Sequence, residues 1–96
     1  MYARTSTWSG SAETIKKWGD HCESRVRGFV EGLPGNAGVM FFADIDTGHA
    51  LTLTLWETEE AATASDQFAE QSRESTVAAT GAELIARGRY QVVAQP

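Results

Sequence analysis

Apolar residues recur every three or four positions between Ala12 and about Glu31: Ile15, Trp18, Cys22, Val26, Phe29 and Val30. That spacing draws a stripe down one face of a helix. Ser11 stands where an N-cap belongs, Gly32 where the residue after a helix belongs, and Pro34-Gly35 ends the element. Before this helix, residues 2–8 (YARTSTW) alternate with period two and are rich in Thr and aromatics, which predicts a strand. After it, residues 37–45 (AGVMFFADI) hold no polar side chain before Asp44, the pattern of a strand covered on both faces. Asp46-Thr47-Gly48 supplies turn chemistry, and residues 49–56 (HALTLTLW) form a third strand, so the pair reads as a hairpin. Thr58 caps a second helix with Glu59 and Glu60 in its first turn. The helix runs through Ala61, Ala64, Ser65, Phe68 and Ser72 to about Ala79, and Gly81 ends it. Residues 89–95 (RYQVVAQ) are expected to be the last strand.

The order strand, helix, strand, strand, helix, strand is the split βαβ arrangement of a ferredoxin-like α+β fold, with both helices on one face of an antiparallel sheet. In the third strand Leu51, Leu53 and Leu55 point one way, and Thr52, Thr54 and Trp56 the other. In the second, Val39, Phe41 and Ile45 oppose Met40 and Phe42. Both sheet faces are thus apolar, yet two helices cover only one. The simplest cover for the other is a second copy of the chain, sheet against sheet.

The chain has 96 residues, the length of one domain, and residues 1–96 are read as one. Its core is thin at this size, which also favours burial against a partner. A net charge of −5 and the absence of a broad basic face argue against nucleic acid and anionic membranes as partners. No apolar run approaches the length of a membrane span. The stretch MYARTSTW lacks the basic start and apolar core of a signal peptide. The single cysteine, Cys22, cannot form an intrachain disulfide. A cytoplasmic protein is expected.

The strand ending in LTLWETEEAATASDQF has a Trp-Glu followed by Thr58, two acids and Ala61 at the opening of the second helix, and the chain ends in YQVV (Tyr90 to Val93). In these residues and in its element order the chain resembles the dimeric α+β barrel superfamily, and more narrowly the antibiotic biosynthesis monooxygenase family. The resemblance implies a homodimer and a small aromatic or polyketide-like substrate oxidised by O2 with no cofactor. It also implies that a Trp at position 56 marks the fold across members of different activities. The superfamily includes haem degraders, which use an Asn on the first strand and a Trp and a His on the second helix. This chain has Ser6 and Thr7 on the first strand and neither Trp nor His on that helix, which argues against haem cleavage. The branch that oxidises polycyclic phenols uses Asn, Trp and Tyr near its pocket. Here the one Asn is Asn36, in a turn.

Among the titratable residues, His21 lies on the first helix between Trp18 and Arg25 and is the natural candidate for a general base near neutral pH. The alternative is a solvated histidine at the helix edge. Cys22 falls on the apolar stripe and reads as a small buried hydrophobe rather than a nucleophile. His49, after a turn, is expected to be exposed. With two histidines and no HxH, HxxxH or CxxC spacing, no metal site is expected. Asp46-Thr47-Gly48 matches the aspartic protease tripeptide, and Asp44 and Asp46 match part of a calcium loop. A hairpin turn explains both. Trp56 is expected mainly as a wedge between helix and sheet. If the sheet face bearing Ser6, Thr52, Thr54 and Trp56 meets the helices, these residues line a pocket with Trp18, Phe42 and Phe68, and Arg73 stands at its rim. An apolar pocket with a few hydroxyls suits a flat organic ligand. Two other readings remain: a binding protein with the same pocket and no chemistry, and a structural dimer whose pocket is filled by side chains.

Overall fold

The computed structural model describes residues 1–95. Strand β1 (Tyr2–Ser9) leads into helix α1 (Ala12–His21), whose Ser11 cap accepts a hydrogen bond from the Thr14 amide at 3.1 Å. The helix passes through one π-helical turn (Cys22–Val26) into α2 (Arg27–Glu31). The inward residues Trp18, Cys22, Val26 and Val30 are all four apart. A stripe with that strict spacing drifts round an α-helix of about 3.6 residues per turn. The wider π turn, closed by the Arg27 amide on the Cys22 carbonyl, takes up the drift and keeps all four inward. Gly32 ends the helix with right-handed backbone, and the positive φ comes three residues later at Gly35.

Strands β2 (Asn36–Asp44) and β3 (His49–Trp56) form the expected hairpin. Gly48 in its turn has φ +74°, and a Cβ there would lie 2.3 Å from the Gly10 carbonyl oxygen. The Gly10 amide donates to the Gly48 carbonyl at 2.9 Å, so the turn closes against the link between β1 and α1. Ile45 lies in this turn, one residue beyond β2, and not on the strand. Thr58 caps α3 (Glu59–Ala64) by accepting from the Ala61 amide. The helix then breaks at Ser65 and resumes as α4 (Asp66–Thr80), where a single helix was expected. The Ser65 hydroxyl donates to the Ala62 carbonyl at 2.7 Å and accepts from Arg4, an alternative to the helical pattern that bends the chain there. Gly81, with φ +77°, ends α4.

The last strand, β4, spans Glu83–Gln91 and not 89–95. Its residues ELIARGRYQ lack the alternation of a half-buried strand because it is an edge strand carrying arginines on the helix side. A bulge opposite Thr7 and Trp8 further shifts its register, leaving Leu84 inward and Ile85 exposed. The sheet order is β2-β3-β1-β4 with every neighbour antiparallel. This is the ferredoxin-like arrangement. The helices lie on the face bearing Arg4, Ser6, Trp8, Ala50, Thr54 and Trp56. The core between the layers holds Trp8, Ile15, Trp18, Cys22, Val26, Val30, Trp56 and Ala62, among others. On the opposite face Leu51, Leu53 and Leu55 are half-buried, and Met40, Phe42 and Tyr90 are exposed. β2 is an edge strand of this sheet, with one face covered by the chain's own helices.

Candidate functional site

A cleft opens between the helices and the sheet at the end where α3 breaks into α4. Its floor is the alternate residues Arg4 and Ser6 of β1 and Thr54 and Trp56 of β3. Its walls are Phe29, Val30 and Leu33 from the end of the first helix, and Ser65, Phe68, Ala69, Ser72 and Arg73 around the break and along α4. Phe29 and Phe68 meet edge to face with ring centres 6.0 Å apart, bridging the two helical arms at the cleft. Enclosed space is about 40 Å³. That is room for a few waters, whereas a benzene ring occupies engineered cavities of about 150 Å³.

Trp56 is 1% exposed. Its indole Nε1 donates to Thr54 Oγ1 at 3.0 Å, so the ring is fixed and its polar edge is satisfied within its own strand. It is both the wedge expected from the sequence and part of the cleft floor. The Arg4 guanidinium lies 5.9 Å from its ring centre. Arg4 also donates to Ser65 Oγ at 2.6 Å, to the Ala62 carbonyl at 2.8 Å and to the Asp66 carboxylate. One buried arginine on the sheet thereby ties down the break between α3 and α4. Its pKa is lowered chiefly by burial, with Arg89 and Arg73 adding repulsion and Asp66 opposing. Arg73 is lowered in the same way by burial and then by Arg87, against the attraction of Glu70 and Asp66.

The expected site residues divide into two groups. Ser6, Thr54, Trp56, Phe68 and Arg73 come together in the cleft. His21, Trp18, Thr52 and Phe42 do not line it. His21 sits at the end of α1, in a groove with Arg25, Gln71 and Ser75 that shares Phe29 and Ser72 with the cleft. Its pKa is lowered by burial and by Arg25. Trp18 is core, packed against Trp8 at 6.4 Å and Phe41 at 6.0 Å between ring centres. Thr52 accepts from the Trp8 indole at 3.2 Å, nearer the other end of β3. Phe42 pairs with Leu51 on the face away from the helices and is 48% exposed. Strand alternation decides this: Phe41 faces the helices, so Phe42 cannot. Cys22 is buried, its thiol pushed up to about 12 by burial, as suits a hydrophobe and not a nucleophile. His49 is exposed, as expected.

Arg4, Arg87 and Arg89 went unread in the sequence, though the signal was present. Arg4 alternates with Ser6 and Trp8, so a Trp turned inward turns Arg4 inward too. Among the described residues no group of three His, Cys, Asp or Glu could hold a metal ion. No helix among them is long and apolar enough to cross a membrane.

No family model matches the sequence, and no curated protein does. Solved structures do match. A monooxygenase of Streptomyces coelicolor, from ActVA-Orf6, with bound nanaomycin D aligns over 99% of this chain and 91% of its own, with TM-score 0.69 and 16% identity. SnoaB, a cofactor-independent oxygenase of Streptomyces nogalater, aligns over 98% and 94%, with TM-score 0.69 and 13% identity. The haem degrader MhuD of Mycobacterium tuberculosis, with two haems in its active site, aligns over 100% and 99%, with TM-score 0.69 and 21% identity. The chain has the fold that these solved structures share. At such identities the likeness is one of fold, shared by proteins of different chemistry.

Proposed function

We propose that the protein is an antibiotic biosynthesis monooxygenase-like oxygenase that takes a flat aromatic or polyketide-like molecule into the cleft over Trp56. The observation that carries this reading is the make-up of the cleft: an indole floor, phenylalanine and aliphatic walls, four hydroxyls and two arginines, on the fold of cofactor-independent oxygenases. No histidine, carboxylate or tyrosine lines it. Deprotonation then falls to solvent, and the cleft favours the product of that step. Arg4 and Arg73, in surroundings of low dielectric, stabilise a phenolate or enolate over its neutral acid. O2 takes electrons from that anion. A C–H carbon becomes a hydroperoxide, and loss of one water leaves a carbonyl, so R2CH2 and O2 give R2CO and H2O with no external reductant. His21 stands in the adjoining groove and not in the cleft lining, so this step runs without it.

The same reading includes a homodimer. The face bearing Leu51, Leu53, Leu55, Met40 and Phe42 is apolar and carries no helix, and a second copy packed on it would leave the cleft on the far side of the sheet free. A cytoplasmic site of action belongs to it as well. The second reading, a binding protein without turnover, is favoured by the missing base, whereas the small volume favours the third, a structural dimer whose pocket is filled by side chains.

The test is oxygen uptake with a 1,8-dihydroxyanthrone, compared between the wild-type protein and Ala69→Trp, which fills the cleft. Acceleration over the buffer blank that Ala69→Trp removes supports the oxygenase. Binding of the anthrone without acceleration moves the protein to the second reading.

A further inference from the structure

Half of the chain's eight basic residues stand together, in a protein whose net charge is −5. Arg4, Arg73, Arg87 and Arg89 line one depression of about 260 Å³ with Asp66 and Gly88. Arg4 and Arg73 also line the cleft, so the depression continues from its end. Four guanidiniums stand beside one carboxylate there. Asp66 is the partner of Arg4 and, at 3.6 Å, of Arg89. Arg89 also donates to Thr63 Oγ1 at 3.0 Å. Glu70 attracts Arg73 from the same helix, yet Arg73 and Arg87 form no ion pair among the described residues. Strand alternation produces the cluster. Arg89 pairs with Arg4 and Arg87 with Ser6 across β1 and β4, so both β4 arginines stand on the face that carries the cleft.

Packing alone does not call for this. Arg4 has a structural task at the helix break, but like charges directly opposite on neighbouring strands destabilise a sheet, and Arg73 and Arg87 close no ion pair among the described residues that would offset this. What Arg73 and Arg87 lack among the described residues is an oxyanion paired with either of them. Guanidinium forks match the two oxygens of a carboxylate in one plane, and Arg87 and Arg89 are exposed and so accessible to one.

We propose that the molecule bound in the cleft carries a carboxylate, seated by Arg73 and Arg87 with Arg89 beside them, while its apolar body lies over Trp56 between Val30 and Phe68. The subsite rests on the reading of the cleft as a small-molecule site. It adds that the ligand is an acid with its charge at one end of a flat apolar body.

Isothermal titration calorimetry with benzoate and 2-naphthoate, each paired with its uncharged amide, tests the subsite. The expected result is binding of at least one acid about tenfold or more tighter than its amide, the margin of a charge-assisted contact. Arg87→Gln, outside the cleft lining, should shrink that margin several-fold while leaving amide binding unchanged, and Arg73→Gln should shrink it as well. Inorganic phosphate should compete weakly with the acid. Equal binding of acid and amide, or a margin that survives both substitutions, overturns the carboxylate subsite and leaves the cleft standing. Phosphate that displaces the acid as well as benzoate does would replace the carboxylate by a phosphate group and overturn the proposal as stated. Failure of all four compounds to bind overturns the subsite and the cleft together. Circular dichroism of both variants, whose positions are not in the core, checks that the fold is intact.

Discussion

The tie between Arg4 and Asp66 gives an unequal pair of substitutions. Arg4 has a side chain 10% exposed, whereas that of Asp66 is 55% exposed. Exposure alone would make Arg4 the costlier residue to lose. Replacing Arg4 by Met removes a guanidinium whose burial is already unfavourable and keeps most of its volume. Asp66 returns to water, and the Ala62 carbonyl keeps its hydrogen bond from Ser65. Such exchanges of an ion for a hydrophobe of similar size are often close to neutral, so the expected loss is roughly 0–1.5 kcal/mol. Asp66→Ala does the opposite. It leaves Arg4 buried with two neutral acceptors and unshielded from Arg89 and Arg73. Removing one partner of a fully buried pair costs about 3–5 kcal/mol. Water reaches the Asp66 side, so screening reduces this to roughly 2–3 kcal/mol. At about 4–8 °C per kcal/mol for a domain of this size, Asp66→Ala should melt roughly 10–20 °C below wild type. Thermal unfolding followed by circular dichroism in low salt, repeated in high salt to screen the arginines, measures both. If Asp66→Ala loses no more than Arg4→Met, the picture of a repelling arginine cluster held by one carboxylate is wrong.

Three further outcomes follow from the placement of single residues. The Cys22 thiol, buried and pushed up to about 12, should resist a disulfide reagent at mildly alkaline pH until urea is added; rapid reaction in the native protein would contradict its place in the core. The folded His21 has a lowered pKa, so the unfolded chain binds the proton more tightly. The stability His21 contributes is present above its ordinary value of about 6.5 and is lost as pH falls. His21→Asn should therefore flatten the pH dependence of urea midpoints between about pH 5 and 7, and an unchanged slope would remove His21 as its source. Leu53→Lys sets a charge in the middle of the open sheet face. Light scattering should find a dimer for wild type and a monomer for the variant, and a wild-type monomer would leave that face uncovered.

Element order was legible because each element carries its own period: the Ile15–Val30 stripe, the LTLTLW alternation, and caps at Ser11 and Thr58 that the structure uses as read. The last strand was misplaced because edge position and a bulge erase alternation, and because Arg87 and Arg89 look like solvent residues until the strand opposite them is known. Half the cleft was legible for a simple reason. Once Trp56 faces the helices, Thr54 and Ser6 must do so too. Phe42 followed from composition and not from alternation, and was placed on the wrong face. Trp18 and Thr52 were on the right layer but belong to its other end, a matter of register along the strands that local pattern does not encode. The break at Ser65, which brings Asp66 to Arg4, depends on a side chain from a strand sixty residues away and has no local signal.

The proposed function requires that small molecules enter between the helices and the sheet above Trp56. The three indole N–H groups separate this place from the rest of the molecule: Trp56 forms the cleft floor, while Trp8 and Trp18 lie in the core nearer the hairpin turn. Nitrogen–proton correlation spectra recorded during titration with 2-naphthoate and with a 1,8-dihydroxyanthrone measure all three at once. The account predicts that the Trp56 signal moves with ligand and saturates, with Trp8 and Trp18 nearly still. A still Trp56, or movement confined to the groove at His21 or to the leucine face, would contradict it.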